Sequence, residues 1–277
     1  MSSPAPLTDR IALSRHRARA ANDPAVFLHE AARDEVQDRL MVVNRTFKSP
    51  AVVTAFPQVW DGFLPDARIL PDDEVLALDE GAHDLVVHAM ALHWANDPVG
   101  QLVQCRRALR ADGLLLALCF GGQTLHELRS ALGQAEIEIT GGLSPRVLPM
   151  GEIRDLGGLL QRAGLALPVA DSFTLTASYD SALHLMRDLR AMGETNALSA
   201  RLRRPTRRAV MLRAAALLAA ADATRHDVDE RISIIAHGHI PQQRIADIDA
   251  ALAQVVEVVA EAMAFDLESI DARNEGE

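Results

Sequence analysis

The stretch 83–120 constrains the fold most, because it alternates strand-like apolar runs with a helical pattern. The run LVVH at 85–88 is followed by Asp97 and Pro98, which are typical of the cap and first position of a helix. Apolar side chains then recur at helical spacing, and the continuous apolar run LLLAL covers 114–118. A strand that is apolar on both sides is typical of a parallel sheet covered by helices on each face. The stretch therefore predicts a βαβ unit inside an α/β domain.

The other elements follow the same alternation of strands and helices. Short strands are predicted at 51–56, 68–70, 75–78, 173–177 and 232–236, and helices are predicted between and after them. The fold class is therefore α/β, with a doubly wound, mostly parallel sheet and helical additions at both ends. The predicted organisation is a helical entry segment at 1–48, an α/β domain at 49–240 with a helical insertion at about 181–225, an amphipathic helix at 241–266 and an acidic tail at 267–277.

Composition limits the classes of function. The chain has 277 residues and a formal net charge of −10, which argues against a general nucleic-acid binder. Cys105 and Cys119 lie within a predicted helix and a predicted strand, so we expect buried free thiols and no disulfide. No apolar run approaches the roughly 20 residues needed to span a bilayer, so no stable membrane insertion is predicted. The expected compartment is the cytoplasm.

Several strings in the sequence resemble one family. The pattern DLVV, then LHW and ND, then a helix, ADG and an apolar strand resembles the class I methyltransferases that use S-adenosylmethionine. The strings CFGGQTLHELRSAL at 119–132, GGLSPRV at 141–147, DLGGLLQRAG at 155–164 and LMRDLRAMGETNA at 185–197 resemble a narrower group. That group comprises the methyltransferase-like assembly factors of respiratory complex I, including an arginine hydroxylase, and their bacterial relatives.

The resemblance covers about residues 7–239 and implies a Rossmann-like methyltransferase fold. It also implies S-adenosylmethionine as cofactor and a protein as substrate. The first function that we expect is therefore that of a methyltransferase-family protein acting on a protein substrate. The alternative is an inactive pseudoenzyme or assembly factor that binds a protein partner and no cofactor. An arginine hydroxylase is a third possibility, and it too would be expected to need a cofactor loop.

The first half of the domain departs from the family pattern. Family members with a working cofactor site have a glycine-rich loop after the first strand, because missing side chains let the backbone approach the ligand. The matching stretch here, TAFPQVW at 54–60, has no glycine before Gly62. We expect Phe56, Pro57 and Trp60 to fill the space of the nucleoside, and Pro57 removes an N–H donor.

The length of this half gives a second argument for a reduced cofactor site. A βαβ unit takes roughly 30 residues or more, and two such units normally separate the first strand from the equivalent of the strand at 85–88. Only about 30 residues separate Thr54 from Leu85, so one helix–strand unit is predicted to be missing or reduced. The acidic residue that normally holds the ribose would go with it, and Asp73, Glu74 or Asp79 could replace it.

The candidate site residues fall into two groups. Cofactor contacts, if the cofactor binds, are expected from Thr54, Ala55, Asp73, His93 and Trp94. A substrate or partner cleft is expected from Gly121, Gly122, Glu127, Ser144 and Arg146. His93 would be a polar contact or proton shuttle and Trp94 a stacking wall, but a packed tryptophan next to a helix cap explains the same pattern. A tight turn, helix caps and surface ion pairs would likewise explain the second group.

The sequence assigns no catalytic side chain and no metal site. His237 and His239 share a strand face, but they lack the further ligands that a metal needs.

Two further patterns keep more than one interpretation open. The arginines at 201, 203, 204, 207 and 208 suggest contact with an acidic partner or RNA, or a solvated loop before a helix. The apolar stripe at 242–265 suggests a homodimer or a helix that packs on its own domain.

Overall fold

The computed structural model describes residues 5–166, 168–221 and 228–239. A six-stranded sheet in the order β2-β1-β3-β4-β6-β5 forms its centre. Strands β1 to β4 run parallel, and β6 is antiparallel to both of its neighbours, β4 and β5. The predicted α/β class with a mostly parallel sheet is confirmed.

The helices and strands follow one another along the chain with short connections. The strands are β1 (Pro50–Thr54), β2 (Arg68–Leu70), β3 (His83–Ala89), β4 (Leu109–Gly121), β5 (Pro168–Tyr179) and β6 (Val228–His239). The helices are α1 (Arg10–Ala20), α2 (Phe27–Val43), α3 (Pro57–Trp60), α4 (Pro98–Ala108), α5 (His126–Thr140), α6 (Ile153–Arg162), α7 (Ala182–Ala191) and α8 (Arg208–Ala221). A 3₁₀ turn, Leu92–Trp94, follows β3.

The strand–helix–strand unit forms as its sequence pattern predicts. The Asp97 side chain accepts a hydrogen bond from the backbone N–H of Gly100 at 2.8 Å, and Pro98 takes the first helical position of α4. Residues 85–89 of β3 pair with residues 114–118 of β4 in parallel register.

The strand predicted at 75–78 is wrong. Its backbone is irregular, although Leu76 is buried. The Leu76 N–H donates to the side-chain oxygen of Gln104 on α4 at 2.8 Å, so a side chain, and not a neighbouring strand, satisfies the backbone.

Only one strand lies between β1 and β3 along the chain. The single helical turn α3 connects β1 to β2, and β2 pairs with β1 over three residues. The chain then passes to β3 on the other side of β1. The prediction of one missing helix–strand unit is therefore confirmed. The strand order reverses between β1 and β3, and such a switch point opens a crevice at the carboxyl ends of the strands.

Alternate side chains of the central strands pack into two separate cores. Val52, Val87 and Leu118 face helix α2 and the turn α3, where Phe56 and Trp60 also lie. On the opposite face, a second core joins the intervening strand residues, among them Val53, Val86 and Ala117, to helices α4 and α6. Helices α5, α7 and α8 form a third cluster at the edge. The sheet is thus covered on both faces, as its continuous apolar strands require.

The segments predicted at 241–266 and 267–277 lie outside the described residues, and so does the homodimer expected from the first of them. None of the helices among residues 5–166 and 168–221 is both long and apolar enough to cross a membrane.

Candidate functional site

Two cavities open at the carboxyl edge of the sheet, on either side of the switch point. The β1/β2 cleft lies beyond the ends of those two strands and beneath α1, and its volume is about 530 Å³. The β3/β4 pocket lies beyond the ends of β3 and β4, and its volume is about 320 Å³. Ligands of doubly wound α/β proteins bind in this region, so both cavities are candidate sites.

A buried carboxylate held by two arginines dominates the β1/β2 cleft. Asp72, two residues beyond β2, has a side chain that is only 6% exposed. Its Oδ2 lies 3.1 Å from Nη1 of Arg10, and its Oδ1 lies 2.6 Å from Nη1 of Arg17. Arg10 also donates to the backbone carbonyl of Asp72. These contacts attach helix α1 to the segment that follows β2, on the other side of the cleft.

The charge state of Asp72 follows from these contacts. Burial alone raises the pKa of this carboxyl, but the guanidinium groups of Arg17 and Arg10 outweigh that effect and leave the pKa below its ordinary value. Asp72 is therefore an ionised carboxylate whose two oxygens are both engaged by the protein.

The loop after β1 does not form an open cradle of backbone donors. The Phe56 N–H donates to Oγ1 of Thr54 at 3.1 Å, and Pro57 has no N–H. Thr54, Ala55 and Pro57 border the cleft. Phe56 and Trp60 do not line this cleft, because both side chains are buried in the core beside α2, and whether they occupy the space of a nucleoside stays a prediction.

The β3/β4 pocket is lined mainly by apolar side chains. Its walls come from α2, the turn after β3, the end of β4, helices α5 and α7, and the first turn of α8. The apolar lining includes Leu28, Trp94, Phe120, Leu125, Leu128, Leu132, Val147, Leu148, Met150, Met186, Leu189, Met192 and Met211. Four of these are methionines, whose flexible side chains adapt to the shape of a ligand.

One carboxylate, that of Glu194, lies in the wall of this pocket. Helix α7 ends at Ala191, and Gly193, two residues later, has a φ of 74°, a left-handed conformation that glycine adopts readily. The next residue, Glu194, turns back into the protein, and its side chain is only 7% exposed. Its Oε2 accepts from Nε1 of Trp94 at 2.6 Å and lies 3.3 Å from Nε2 of His93. Among the described residues, its Oε1 has no hydrogen-bond partner.

Glu194 is ionised despite its burial. Burial by itself raises the pKa of the carboxyl, but His93, Arg17 and the indole of Trp94 together lower it below its ordinary value. The pocket therefore contains a fixed negative charge with one oxygen held by two neighbours and one oxygen without a donor. Such an oxygen is costly to bury, so it favours a ligand that brings a donor.

A buried histidine lies near this carboxylate. His29 on α2 packs on the ring of Phe56 with centroids 4.4 Å apart, and neither of its ring nitrogens has a partner among the described residues. Burial lowers the pKa of His29 to about 4, so the ring is neutral at physiological pH. It therefore adds polarity but no positive charge.

The other charged groups of the pocket neutralise each other. Arg146 donates from Nε and Nη2 to the two oxygens of Glu136 at 2.9 and 2.7 Å, and from Nη1 to Thr206 at 2.8 Å. Ser144 also hydrogen-bonds to Glu136 through its backbone and hydroxyl. The contacts with Arg146 and Ser144 lower the pKa of Glu136 to about 2, against the effect of burial. This network lies at the wall of the pocket and leaves Glu194 as the pocket carboxylate that no arginine contacts directly among the described residues.

The structure separates the predicted site residues into these two cavities. Thr54, Ala55 and Asp73 line the β1/β2 cleft, and Trp94 and Arg146 line the β3/β4 pocket. His93 and Ser144 lie behind the second cavity as partners of Glu194 and Glu136.

The remaining predicted residues lie around the pocket without lining it. Gly122 donates to the carbonyl of Gly151 at 2.9 Å, and Gly121 accepts from the hydroxyl of Thr124 at 2.7 Å. Glu127 is half-buried in the first turn of α5. Whether any of these residues contacts a ligand stays a prediction.

The residues that sequence reasoning missed are Asp72, its two arginines and Glu194. The signals were present but weak, since Asp72 adjoins the predicted Asp73 and Glu194 lies in the family-like string at 185–197. The described residues contain no group of three or more histidine, cysteine, aspartate or glutamate side chains placed to hold a metal ion.

Part of the chain is similar in sequence to known proteins. No family model matches the chain. It is 38% identical over 154 residues to the mitochondrial arginine-hydroxylase NDUFAF5 of Mus musculus, covering 56% of this chain and 45% of that protein. It is 39% identical over 135 residues to the malonyl-[acyl-carrier protein] O-methyltransferase of Laribacter hongkongensis, covering 49% of this chain and 43% of the relative.

Over about half of its length, the chain is similar to the NDUFAF5 arginine-hydroxylases and to an O-methyltransferase. The resemblance found in the sequence is thereby confirmed. The chain spans about half the length of the curated relatives it matches. Among solved structures, a putative methyltransferase from Bacillus halodurans is 12% identical and covers 74% of this chain and 97% of that one, with a TM-score of 0.46.

The residues of the β1/β2 cleft fit S-adenosylmethionine, the cofactor that the superfamily implies, only in part: Asp73 lines the cleft as an exposed carboxylate, but the other expected contacts are already engaged. Nucleoside binding needs backbone donors after β1 and a free carboxylate after β2. Here the Phe56 N–H is already bonded to Thr54, and Asp72 is bonded to Arg10 and Arg17.

Proposed function

We propose that the protein is a methyltransferase-family protein that recognises an arginine side chain of a protein substrate or partner in the β3/β4 pocket. The observation that carries the proposal is Glu194, an ionised and buried carboxylate in the wall of a mainly apolar pocket, one of whose oxygens has no donor among the described residues. The arginine-hydroxylase name of the NDUFAF5 relatives supports arginine as the ligand.

The chemistry of the pocket matches this ligand. Arginine has a three-carbon apolar stem and a guanidinium head, so the stem would pack on the methionine and leucine walls while the head donates to Oε1 of Glu194. Trp94 and His93 hold Oε2 and so fix the plane of the carboxylate before the ligand arrives. The mainly apolar walls lower the local dielectric constant, which would strengthen the charge-assisted hydrogen bonds.

Two candidate functions share this pocket and differ in their use of the cofactor. S-adenosylmethionine-dependent methyl transfer is supported by the relatives named as methyltransferases. Binding without methyl transfer, as in a pseudoenzyme or assembly factor, is supported by the engagement of Asp72 by two arginines. The geometry favours the second function. The cytoplasmic location stays a prediction.

Titration with short peptides tests the pocket. A peptide with a central arginine should bind about 10–100-fold more tightly than the same peptide with the neutral isostere citrulline, because a hydrogen bond to a charged group contributes about 1.5–3 kcal/mol. A lysine peptide should fall between the two, since it cannot present a planar fork. Glu194→Gln should abolish the preference for arginine, and Glu30→Gln, an exposed position on α2, is the matched control. Equal binding of the arginine and citrulline peptides would refute the proposal.

Calorimetric titration with S-adenosylmethionine and S-adenosylhomocysteine decides between the two functions. We expect no heat and no thermal shift at saturating ligand. Micromolar binding of either compound would favour methyl transfer and would leave the arginine pocket as its substrate site.

A further inference from the structure

A group of exposed arginines lies next in sequence to Thr206, a residue that lines the β3/β4 pocket. We name Arg203, Arg204, Arg207 and Arg208 the arginine rim; all four are exposed. Thr206, between the two pairs, lines the pocket and is held there by Arg146 at 2.8 Å. Met211, one turn into α8, lines it as well. The rim therefore lies beside this wall of the pocket.

Three of the four rim arginines form no ion pair among the residues that the structure describes. Arg203 approaches Asp9 at 3.3 Å, but Asp9 already pairs with Arg201 at 2.9 Å. No acidic side chain in the part of the chain that the structure describes forms an ion pair with Arg204, Arg207 or Arg208. Other arginines near the pocket are neutralised, as Arg146 is by Glu136. Within the described ranges, Arg204, Arg207 and Arg208 thus keep their positive charge unpaired.

The position of the rim is unfavourable for the fold alone. Arg208 begins α8, and the first turn of that helix contains no acidic residue. The amino end of a helix carries a partial positive charge, so arginines there repel it slightly. Replacing them should not destabilise the helix, and their placement is better explained by an anionic ligand.

The overall charge selects among anionic ligands. The protein carries a net charge of −10, which repels a long polyanion such as RNA over its whole length. A short acidic segment of a polypeptide meets only the local positive field and is attracted to it. Because consecutive residues of an extended chain are about 3.3–3.6 Å apart, acidic residues within two or three positions of a bound arginine would reach the rim.

We propose that the arginine rim docks acidic residues that flank the arginine of the protein substrate. This inference rests on the proposed function, since it takes the arginine in the β3/β4 pocket as its anchor. The substrate class is then an arginine in an acidic sequence context.

Peptides with matched flanks test the proposal. A peptide with glutamates on both sides of its arginine should bind about tenfold more tightly than the same peptide with glutamines, since exposed ion pairs contribute up to about 1 kcal/mol each. The advantage should disappear at 0.5 M salt, at which charges are screened within about 3–10 Å. The triple variant Arg204→Ala, Arg207→Ala, Arg208→Ala should lose the preference for glutamates.

The control is a triple variant on the opposite side of the structure: Arg107→Ala, Arg154→Ala, Arg162→Ala, on α4 and α6. It removes the same charge and should keep the preference. Unchanged preference in the rim variant, shown by circular dichroism to be folded, overturns the proposal. Tighter binding of an RNA oligonucleotide than of the acidic peptide overturns it as well.

The failures of the two proposals can be told apart. If the glutamine-flanked arginine peptide binds but glutamates add nothing, the pocket is correct and the rim is wrong. Suppose instead that an acidic peptide without arginine binds as tightly as the one with arginine, and that the rim variant weakens this binding while Glu194→Gln does not. The rim is then correct and the arginine pocket is wrong.

Discussion

Replacing Asp72 by asparagine tests the ion pairs that this buried carboxylate forms with Arg10 and Arg17. The substitution keeps the shape of the side chain and removes its charge, so the guanidiniums of Arg17 and Arg10, which are only 12% and 24% exposed, lose their partner. Breaking a buried ion pair by removing one member costs about 3–5 kcal/mol. Asparagine still offers one acceptor, so we expect about 3 kcal/mol. At about 2–4 °C per kcal/mol for a domain of this size, Tm should fall by about 6–12 °C.

The pH dependence of this loss gives an independent measurement. The pKa of Asp72 is lowered in the folded protein, so its contribution is fully present above the ordinary value of 3.8 and is lost as the pH falls through the folded pKa. Urea unfolding followed by circular dichroism should therefore show a constant difference between the wild type and Asp72→Asn from pH 5 to 8. The difference should shrink below pH 3.8.

The neighbouring residue supplies the control. Asp73→Asn makes the same chemical change at an exposed position, so it should alter the free energy of unfolding by less than about 0.5 kcal/mol. A loss for Asp72→Asn no larger than this, or a loss that persists unchanged at pH 2, would refute the assignment of Asp72 as a buried ion pair.

Two further predictions concern packing and thiol reactivity. Gly193→Ala should lower the free energy of unfolding by about 1–3 kcal/mol in urea, because φ is 74° and the added Cβ would lie 3.0 Å from Cγ of Arg17. Gly142→Ala is the control: its Cβ would meet no atom within 4 Å, so the free energy of unfolding should change little. Equal losses of stability in the two variants would contradict the argument. Burial raises the pKa of Cys105 and Cys119 to about 12, so iodoacetamide should label neither thiol in the native protein at pH 8. Both thiols should be labelled after unfolding in urea. Rapid labelling of the native protein would contradict their burial.

Local patterns predicted most of the fold. The helix cap at Asp97 and the apolar run at 114–118 depend mainly on residues that are neighbours in the sequence, and both are found as predicted. The 75–78 stretch has the same apolar character, but its backbone hydrogen bond goes to Gln104, 28 positions away from Leu76. Local composition cannot reveal such a partner.

The site was predicted less well than the fold for the same reason. Its decisive contacts join distant positions, since Trp94 and Glu194 are 100 residues apart and Arg17 and Asp72 are 55 apart. The family-like strings pointed to Trp94 and Arg146, which do line the pocket. They did not indicate that a carboxylate would be buried beside Trp94.

The walls of the β3/β4 pocket extend along the chain from Leu28 to Met211. Contacts between residues so far apart form late in folding, because a large loss of chain entropy precedes them. The pocket therefore forms only when nearly the whole domain has folded. A ligand that fits it would bind the completed chain and no folding intermediate, so its binding would add to the free energy of unfolding of the whole domain.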